Sequence, residues 1–442
     1  MGGGEEDERV APRHEMASLP IPDELLAEIL LRLPTPADLV RTSAACVSFL
    51  RVAAHRSFLR RYRKLHAPPL LGFLDQHDKA FYPATPPYLS ASAGSAVALA
   101  ADFSFSFLPA PAGDWVLRNI RDGRALLERP MRDHNGTIVF LEVVVCDPLH
   151  RRYFLLPPIA YQYIGTYRQY SREMFLVSPS EGHEAEETSF RVVSMSQRDT
   201  MILASVFSSN TGQWRTISSQ CRTNLFAGLP PMEKMGLFCW RRYAYGCFYW
   251  LTPQCEESKL LVLDTRTMEF SIVEPPQEAS CCGDFAMVEA GEGRLGMFVL
   301  EYRGSDLIYF IGKNDGGSSS QWQKVKTISL WSVTSLMGSM GKYLLLYQHG
   351  TSCREAGCFT LDIKTFQREK LCTLGCSVYN LHPYSNFPPS LMSSPTVSSD
   401  IGQVLKKALR RRCWNKGVLQ AQGQSHHGQG SAGANAGDLA VF

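Results

Sequence analysis

The 442 residues contain no apolar run of the roughly 18 or more needed to cross a bilayer. None of the 13 cysteines forms a C-x-x-C pair, and no two pairs stand at zinc spacing. Cys353/Cys358 and Cys372/Cys376 come nearest, without a histidine at a useful distance. No metal and no cofactor are therefore expected, and the thiols are read as free and buried in a reducing compartment. The nucleotide and hydrolase signatures G-x-x-x-x-G-K-[ST], G-x-S-x-G and H-E-x-x-H are also missing. One G-x-G-x-x-G occurs, Gly291 to Gly296, but Met297-Phe298-Val299-Leu300 follows it as a strand. A dinucleotide loop needs a helix there, and Glu289 and Glu292 would repel phosphate, so a glycine hairpin is the reading. A net charge of +3 gives no general pull toward polyanions. The first residues, MGGGEEDERVAPRHE, lack the apolar segment of a signal peptide, and Glu6 stands where a myristoylation motif takes Ser or Thr.

What is present falls into two textures. From Ser18 to Tyr62 the chain is leucine-rich and helical in period. Leu25, Leu26, Ile29, Leu30 and Leu33 form one broad apolar stripe. Pro22 suits a first turn, Asp23 and Glu24 suit the positive end of the helix dipole, and Pro34 ends the helix. Thr35-Pro36 reads as the start of a second helix carrying Leu39, Val40, Ala44, Val47, Phe49 and Leu50; Phe58, Leu59 and Tyr62 mark a third. A segment of about 45 residues is too small to close a core easily. Its stripe needs cover from the rest of the chain or from a partner.

From about Leu70 the helical period gives way to short β-rich runs. They are Phe103 to Leu108, Trp115 to Asn119, Ile138 to Cys146, Phe190 to Met195, Ile202 to Phe207, Leu260 to Leu263, Leu295 to Leu300, Leu307 to Ile311 and Tyr343 to Tyr347. Asn135-Gly136 reads as a hairpin turn. A degenerate unit recurs: a strand, a turn with Asp or Asn, then a strand opened by an aromatic. Its markers are Asp147, Asn210, Asp264, Asn314 and Asp362, about 50 residues apart, with Arg121-Asp122-Gly123-Arg124 as a candidate earlier copy. That period fits the blades of a β-propeller, which bury their faces by stacking radially. A β-sandwich, or two smaller β domains, is the competing architecture.

Trp240 to Trp250 is the most aromatic stretch, and period two puts Trp240, Arg242, Ala244, Gly246, Phe248 and Trp250 on one face. Two adjoining strands bent at Gly246 explain it; Arg241, Arg242, Tyr243 and Tyr245 stand as a candidate target-binding loop. EGHEAEE at 181–187 reads as a solvated loop. From about Pro388, Ser, Gly, Gln and His dominate, a composition that buries no core. Within it, 404–414 is basic, either a localisation signal or a solvated stretch.

The helical stretch resembles an F-box. Leu19-Pro20, Asp23-Glu24-Leu25-Leu26, Ile29-Leu30, Leu33-Pro34, Leu39, Cys46, Phe49 and Phe58-Leu59-Arg60-Arg61-Tyr62 carry the likeness. It departs after Cys46, where Val47 and Phe49-Leu50 replace a more polar pattern. The body resembles the F-box-associated β-propeller of plant F-box families in CDPLHRRYFLLPP, SSNTGQW and LDTRTMEF before Pro-Pro. The glycine doublets of Kelch repeats and the Gly-His and Trp-Asp pairs of other propellers are missing.

The resemblance implies a multidomain α+β chain: a disordered 1–16, an all-α F-box of about three helices at 17–66, an all-β propeller of about six blades at 67–387, and a disordered tail at 388–442. It implies a non-catalytic subunit of an SKP-cullin-F-box ubiquitin ligase, in the cytoplasm or nucleus. Leu19, Pro20, Leu25, Leu26, Ile29, Leu30, Leu33, Pro34, Leu39, Val40 and Phe49 would meet an SKP-type adaptor and, through it, a cullin. The propeller loops would hold a target protein. The alternative is a glycan-binding or glycan-acting propeller with a merely structural helical segment.

Overall fold

The computed structural model describes residues 21–385, apart from 35, 67, 133, 136–137, 161–171, 178–188, 199–200, 222–239, 253–257, 280–283, 302–305, 313–321, 331–333, 350–355 and 375–379. Asn314, the 181–187 loop and the basic tail lie outside the described residues, as do Thr35, Leu19 and Pro20. The chain forms two compact units, Met1–Pro69 and Leu70–Phe442.

The first unit holds α1 (Asp23–Leu31), α2 (Pro36–Ala45), α3 (Val47–Ala53) and α4 (Arg56–Leu65). The Pro22 carbonyl accepts the Leu26 N–H, and Asp23 and Glu24 occupy the first turn of α1. Sequence suggests one helix from Leu39 to Leu50. Cys46 instead stands extended, at φ −152° and ψ 141°, and divides it into α2 and α3, so the described residues of the unit form four helices. Leu26, Leu30, Leu31, Leu39, Val52, Ala53, Phe58 and Tyr62 make the core. The Tyr62 ring stacks on His66 at 4.1 Å, and the His66 ring nitrogen meets the Leu31 carbonyl at 2.8 Å, tying the end of α4 to the end of α1.

The second unit begins with β1 (Leu70–Asp75), β2 (Phe81–Pro83) and α5 (Ala91–Ala100). Five four-stranded antiparallel sheets follow. Their strands are β3 (Val116–Arg121), β4 (Arg124–Arg132), β5 (Ile138–Asp147) and β6 (Arg152–Ala160); then β7 (Arg172–Val177), β8 (Arg191–Arg198), β9 (Met201–Ser208) and β10 (Gln213–Cys221). Next come β11 (Arg242–Ala244), β12 (Cys247–Leu251), β13 (Leu260–Asp264) and β14 (Glu269–Val273), then β15 (Phe285–Glu289), β16 (Leu295–Leu300), β17 (Asp306–Gly312) and β18 (Trp322–Ser329). The fifth is β19 (Thr334–Met340), β20 (Tyr343–Gln348), β21 (Gly357–Asp362) and β22 (Arg368–Thr373). The last strand, β23 (Leu381–Ser385), returns to pair with β1, so the sixth sheet runs β2-β1-β23. Leu74 faces His382 and Phe73 faces Pro383 in that pairing. Apolar clusters lie between each pair of successive sheets and between the sixth and the first, so the ring is a closed six-bladed propeller.

The repeated turn has a physical basis. Asp75, Asp147, Asp264 and Asp362 each end a strand, and one carboxylate oxygen accepts the N–H groups two and three residues on, at 2.6–3.2 Å. The residue four on (Lys79, Arg151, Met268, Phe366) takes a left-handed φ of 54° to 60°. In the second full blade Ser208, not the marker Asn210, holds the strand-end position, and Gly212 takes the left-handed one. Asp122-Gly123 is a different turn, the tight β3–β4 hairpin at the inner edge of its blade; the missed copy is Asp75. The aromatic that opens the following strand clips blades together. Trp214 donates to the Pro157 carbonyl and Trp322 to the Glu274 carbonyl, both at 2.8 Å.

Eight of the nine β runs are strands. Phe103 to Leu108 is not: Asp102 accepts from the Ser104 N–H and from both the Ser104 and Ser106 hydroxyls, and Phe105 has φ 59°, which coils the segment into turns. Its rings still enter the core between the sixth and first blades. Gly291 to Arg294 is a hairpin between β15 and β16, with the Arg294 N–H on the Gly291 carbonyl. Among the described residues no helix is long and apolar enough to cross a membrane.

Burial pushes the Asp362 carboxyl up, but the Thr365 N–H, Lys342 and the Lys364 N–H outweigh it and bring the group to about 2. As pH falls, the unfolded chain takes up this proton first. The turn's electrostatic stabilisation, about 2 kcal/mol, is full above the ordinary carboxylate value near 3.8 and is lost as pH falls to about 2. Urea unfolding at pH 6 and pH 3 tests this: Asp362→Asn should lower stability at pH 6 and narrow the gap between the two pH values.

Candidate functional site

The predicted stripe on α1 divides in two. Leu26 and Leu30 are 3% and 1% exposed, and Leu31, outside the predicted stripe, is buried beside them. Leu25 and Ile29 are 59% and 54% exposed. A helix advances about 100° per residue, so a set at i, i+4 and i+5 faces the core while its flank at i−1 and i+3 faces out. Leu39 is buried, Leu33 and Phe49 are half-buried and Pro34 is exposed; the side chain of Val40 lies outside the described residues.

Val47 and Leu50 on α3 are also exposed, as is Ile21 just before α1. Arg51 on α3 bonds both oxygens of Asp23 on α1, at 2.8 and 3.0 Å, and Arg61 on α4 pairs with Glu28. These surface ion pairs add little energy by themselves. They fix α3 and α4 against α1 and leave Leu25, Ile29, Val47 and Leu50 facing solvent on two packed helices. In the sequence Val47 and Leu50 stand as apolar positions of the second helix and as departures from a more polar pattern, not as members of the predicted adaptor-binding set. Ile21 had a signal too, a β-branched residue directly before the Pro22 that starts α1.

The candidate target-binding loop needs correction. Arg242 is buried on β11: its Nε donates to the Phe285 carbonyl at 2.5 Å and an Nη to the Leu336 carbonyl at 2.9 Å. It joins three neighbouring blades, and burial lowers its guanidinium to about 10. Arg241 pairs with Glu173 at 2.5 Å and lies over the Phe175 ring, and the Trp250 indole donates to the other Glu173 oxygen at 2.6 Å. Burial pushes the Glu173 carboxyl up, and Arg241 and Trp250 hold it back. Tyr243 packs on Phe248 with Arg121 over its ring. Interleaved Arg and aromatics here are blade-to-blade mortar. Of the four, only Tyr245 is exposed, at a left-handed turn where its hydroxyl accepts the Gly291 N–H at 3.2 Å; Trp240 beside them is exposed as well.

The inner strands carry further charge. Glu128 receives Arg118 at 2.5 Å and also Arg172. His382 on β23 is held down near 4 by burial and then by Arg241. The Asn119 amide oxygen accepts the Leu176 N–H, and Asp284 accepts the Leu336 N–H, both at 3.0 Å. The Arg172, Asn119 and Asp284 contacts each spend a polar group on a neighbouring blade. Among the described residues no group of three or more His, Cys, Asp or Glu gathers as for a metal ion.

The two faces of α1 should separate in stability measurements. Leu30→Ala should cost about 2–5 kcal/mol of the helical unit's stability, as for a filled core site. Leu25→Ala should change it by about 0.5 kcal/mol or less. Urea unfolding followed by a probe in the helical unit reads both.

No curated protein matches the chain. Solved structures match at low identity. The nidogen/laminin complex is 10% identical, with 70% of this chain and 95% of that chain covered and a TM-score of 0.37. The β-propeller domain of the Trilobed protease from Pyrococcus furiosus is 10% identical, over 58% of this chain and 68% of that one, at 0.32. The exo-β-1,3-galactanase 1,3Gal43A from Clostridium thermocellum is 11% identical, over 62% and 64%, at 0.31. Residues 116–342, just over half of the sequence, match the family described as F-box protein AT5G49610-like, beta-propeller. Together with the six closed blades, this match makes the chain a member of that F-box protein family.

Proposed function

We propose that the chain is the substrate-recognition subunit of an SKP-cullin-F-box ubiquitin ligase. The observation that carries the reading is the outward face of α1 and α3. Leu25, Ile29, Val47 and Leu50 are large apolar side chains left in water on a unit that has already filled its own core. Covering each would recover about 1 kcal/mol or more. The match of the propeller to an F-box protein family and the F-box pattern of the helical stretch support an SKP-type adaptor as the partner.

In this reading the propeller holds a target protein, and ubiquitin transfer is accelerated by proximity alone. A lysine held near an activated ubiquitin sees a high effective concentration, and no catalytic side chain of this chain is required. Tyr245 and Trp240 are exposed aromatics offered for target contact. The cytoplasm and nucleus are where such a complex would work. A glycan-cleaving propeller would need two carboxylates poised as acid and base. Glu128 and Glu173, the buried inner carboxylates, are each engaged by arginine.

Binding of the purified full chain to an SKP-type adaptor, read by calorimetry, tests the proposal. Leu25→Glu with Ile29→Glu should weaken it at least a hundredfold while the unfolding midpoint stays near that of the wild type. Equal affinity in wild type and variant would overturn the assignment of this face.

A further inference from the structure

Three charged side chains meet where the first two full blades adjoin, at the end where the inner strands β3 and β7 begin. Glu128 on β4 stands opposite Val116, the first residue of β3. Arg118 is the extra residue of a bulge in β3, between Leu117 and Asn119, and bulges re-aim side chains. Arg172 opens β7 in the next blade. One Nη of Arg118 and one of Arg172 both donate to the same Glu128 oxygen, Oε1, the first at 2.5 Å. The Glu128 side chain is 3% exposed, while both arginines keep partial access to solvent. Three buried atoms of this triad, Arg118 Nε, Arg172 Nη1 and Glu128 Oε2, have no hydrogen-bond partner among the described residues. Buried polar atoms are nearly always paired, so three orphans on one triad call for a common partner.

We propose that Arg118, Arg172 and Glu128 form a binding site for a phosphate group that keeps a proton. The orphans are two N–H donors and one carboxylate oxygen. A guanidinium cannot accept and an ionised carboxylate cannot donate, so the ligand must accept twice and donate once. The triad also sets two positive charges on one negative, and a monoanion completes that balance in a poorly solvated place. Dihydrogen phosphate meets each condition. Its bare oxygens take Arg118 Nε and Arg172 Nη1 in charge-assisted hydrogen bonds, and its hydroxyl donates to Glu128 Oε2. Sulfate has no proton to give at neutral pH, and neither has an ionised carboxylate. Either would press a bare oxygen against Glu128 Oε2. A water satisfies the hydrogen bonds and leaves the second guanidinium uncompensated.

The surroundings hold the triad in place and leave the arginines to the ligand. The Asn119 amide oxygen accepts the Leu176 N–H at 3.0 Å, which fixes β7 against β3 directly beyond the bulge. Glu173, the neighbour of Arg172, gives one carboxylate oxygen to Arg241 and the other to the Trp250 indole, so it does not compete for Arg172. Binding makes and breaks no covalent bond, and the proton stays on the phosphate. The site is independent of the adaptor reading.

The test is equilibrium dialysis of the full chain against radiolabelled inorganic phosphate at fixed ionic strength. Wild type should retain one equivalent, displaced by unlabelled phosphate and about a hundredfold less well by sulfate. Arg118→Lys keeps the charge at the bulge and loses Nε, and should weaken binding about tenfold with an unchanged unfolding midpoint. Glu128→Gln presents an amide N–H where the carboxylate oxygen stood, and should let sulfate compete as well as phosphate. If Glu128→Gln does not fold, Arg118→Lys and the sulfate competition in wild type decide the matter. O-phosphoserine separates the two sources of the group: no displacement assigns the site to the free ion, and displacement equal to that by phosphate assigns it to a monoester. No retained phosphate, equal displacement of phosphate by sulfate in wild type, or unchanged affinity in Arg118→Lys would each overturn the proposal.

Discussion

An apolar surface must be covered by something, and the two units of this chain meet that constraint in opposite ways. Every blade of the propeller is apolar on both faces, so none is stable alone. Each face is buried against a neighbour, and the requirement ends only when the last strand pairs with the first. Clusters between successive blades carry the energy. Arg242, Asn119, Asp284, Trp214 and Trp322 carry the register by linking one blade's polar groups to another blade's backbone. The propeller is thus its own partner. The helical unit fills one core and keeps a second apolar face on α1 and α3 that its own side chains do not cover.

Much of this was legible. The period of about 50 residues announced blades because a strand-end Asp caps its turn the same way at Asp75, Asp147, Asp264 and Asp362. The aromatic after that turn was visible as a pattern, and its role as a clip to the preceding blade explains why it recurs. The stripe on α1 was visible as well. Its division was not, because Leu25 and Leu26 are the same residue to any hydropathy pattern. Only the position of Leu31, and the packing of Val52, Phe58 and Tyr62, set which side turns inward.

The misreadings have local causes. Asp102 supplies side-chain hydrogen bonds that compete with a strand through Phe103 to Leu108. Arg241 and Arg242 stand in the candidate recognition loop because propellers bind with the loops at one end. Here the arginines serve buried carbonyls and a buried carboxylate across blade boundaries, which needs residues far apart in sequence.

The central claim is that the uncovered face of α1 and α3 is completed by an SKP-type adaptor. Hydrogen–deuterium exchange of the full chain, alone and saturated with adaptor, tests it most directly. The account predicts new protection in α1 and α3 while the strands of all six blades exchange as before. Protection confined to the propeller, with α1 and α3 unchanged, would contradict it.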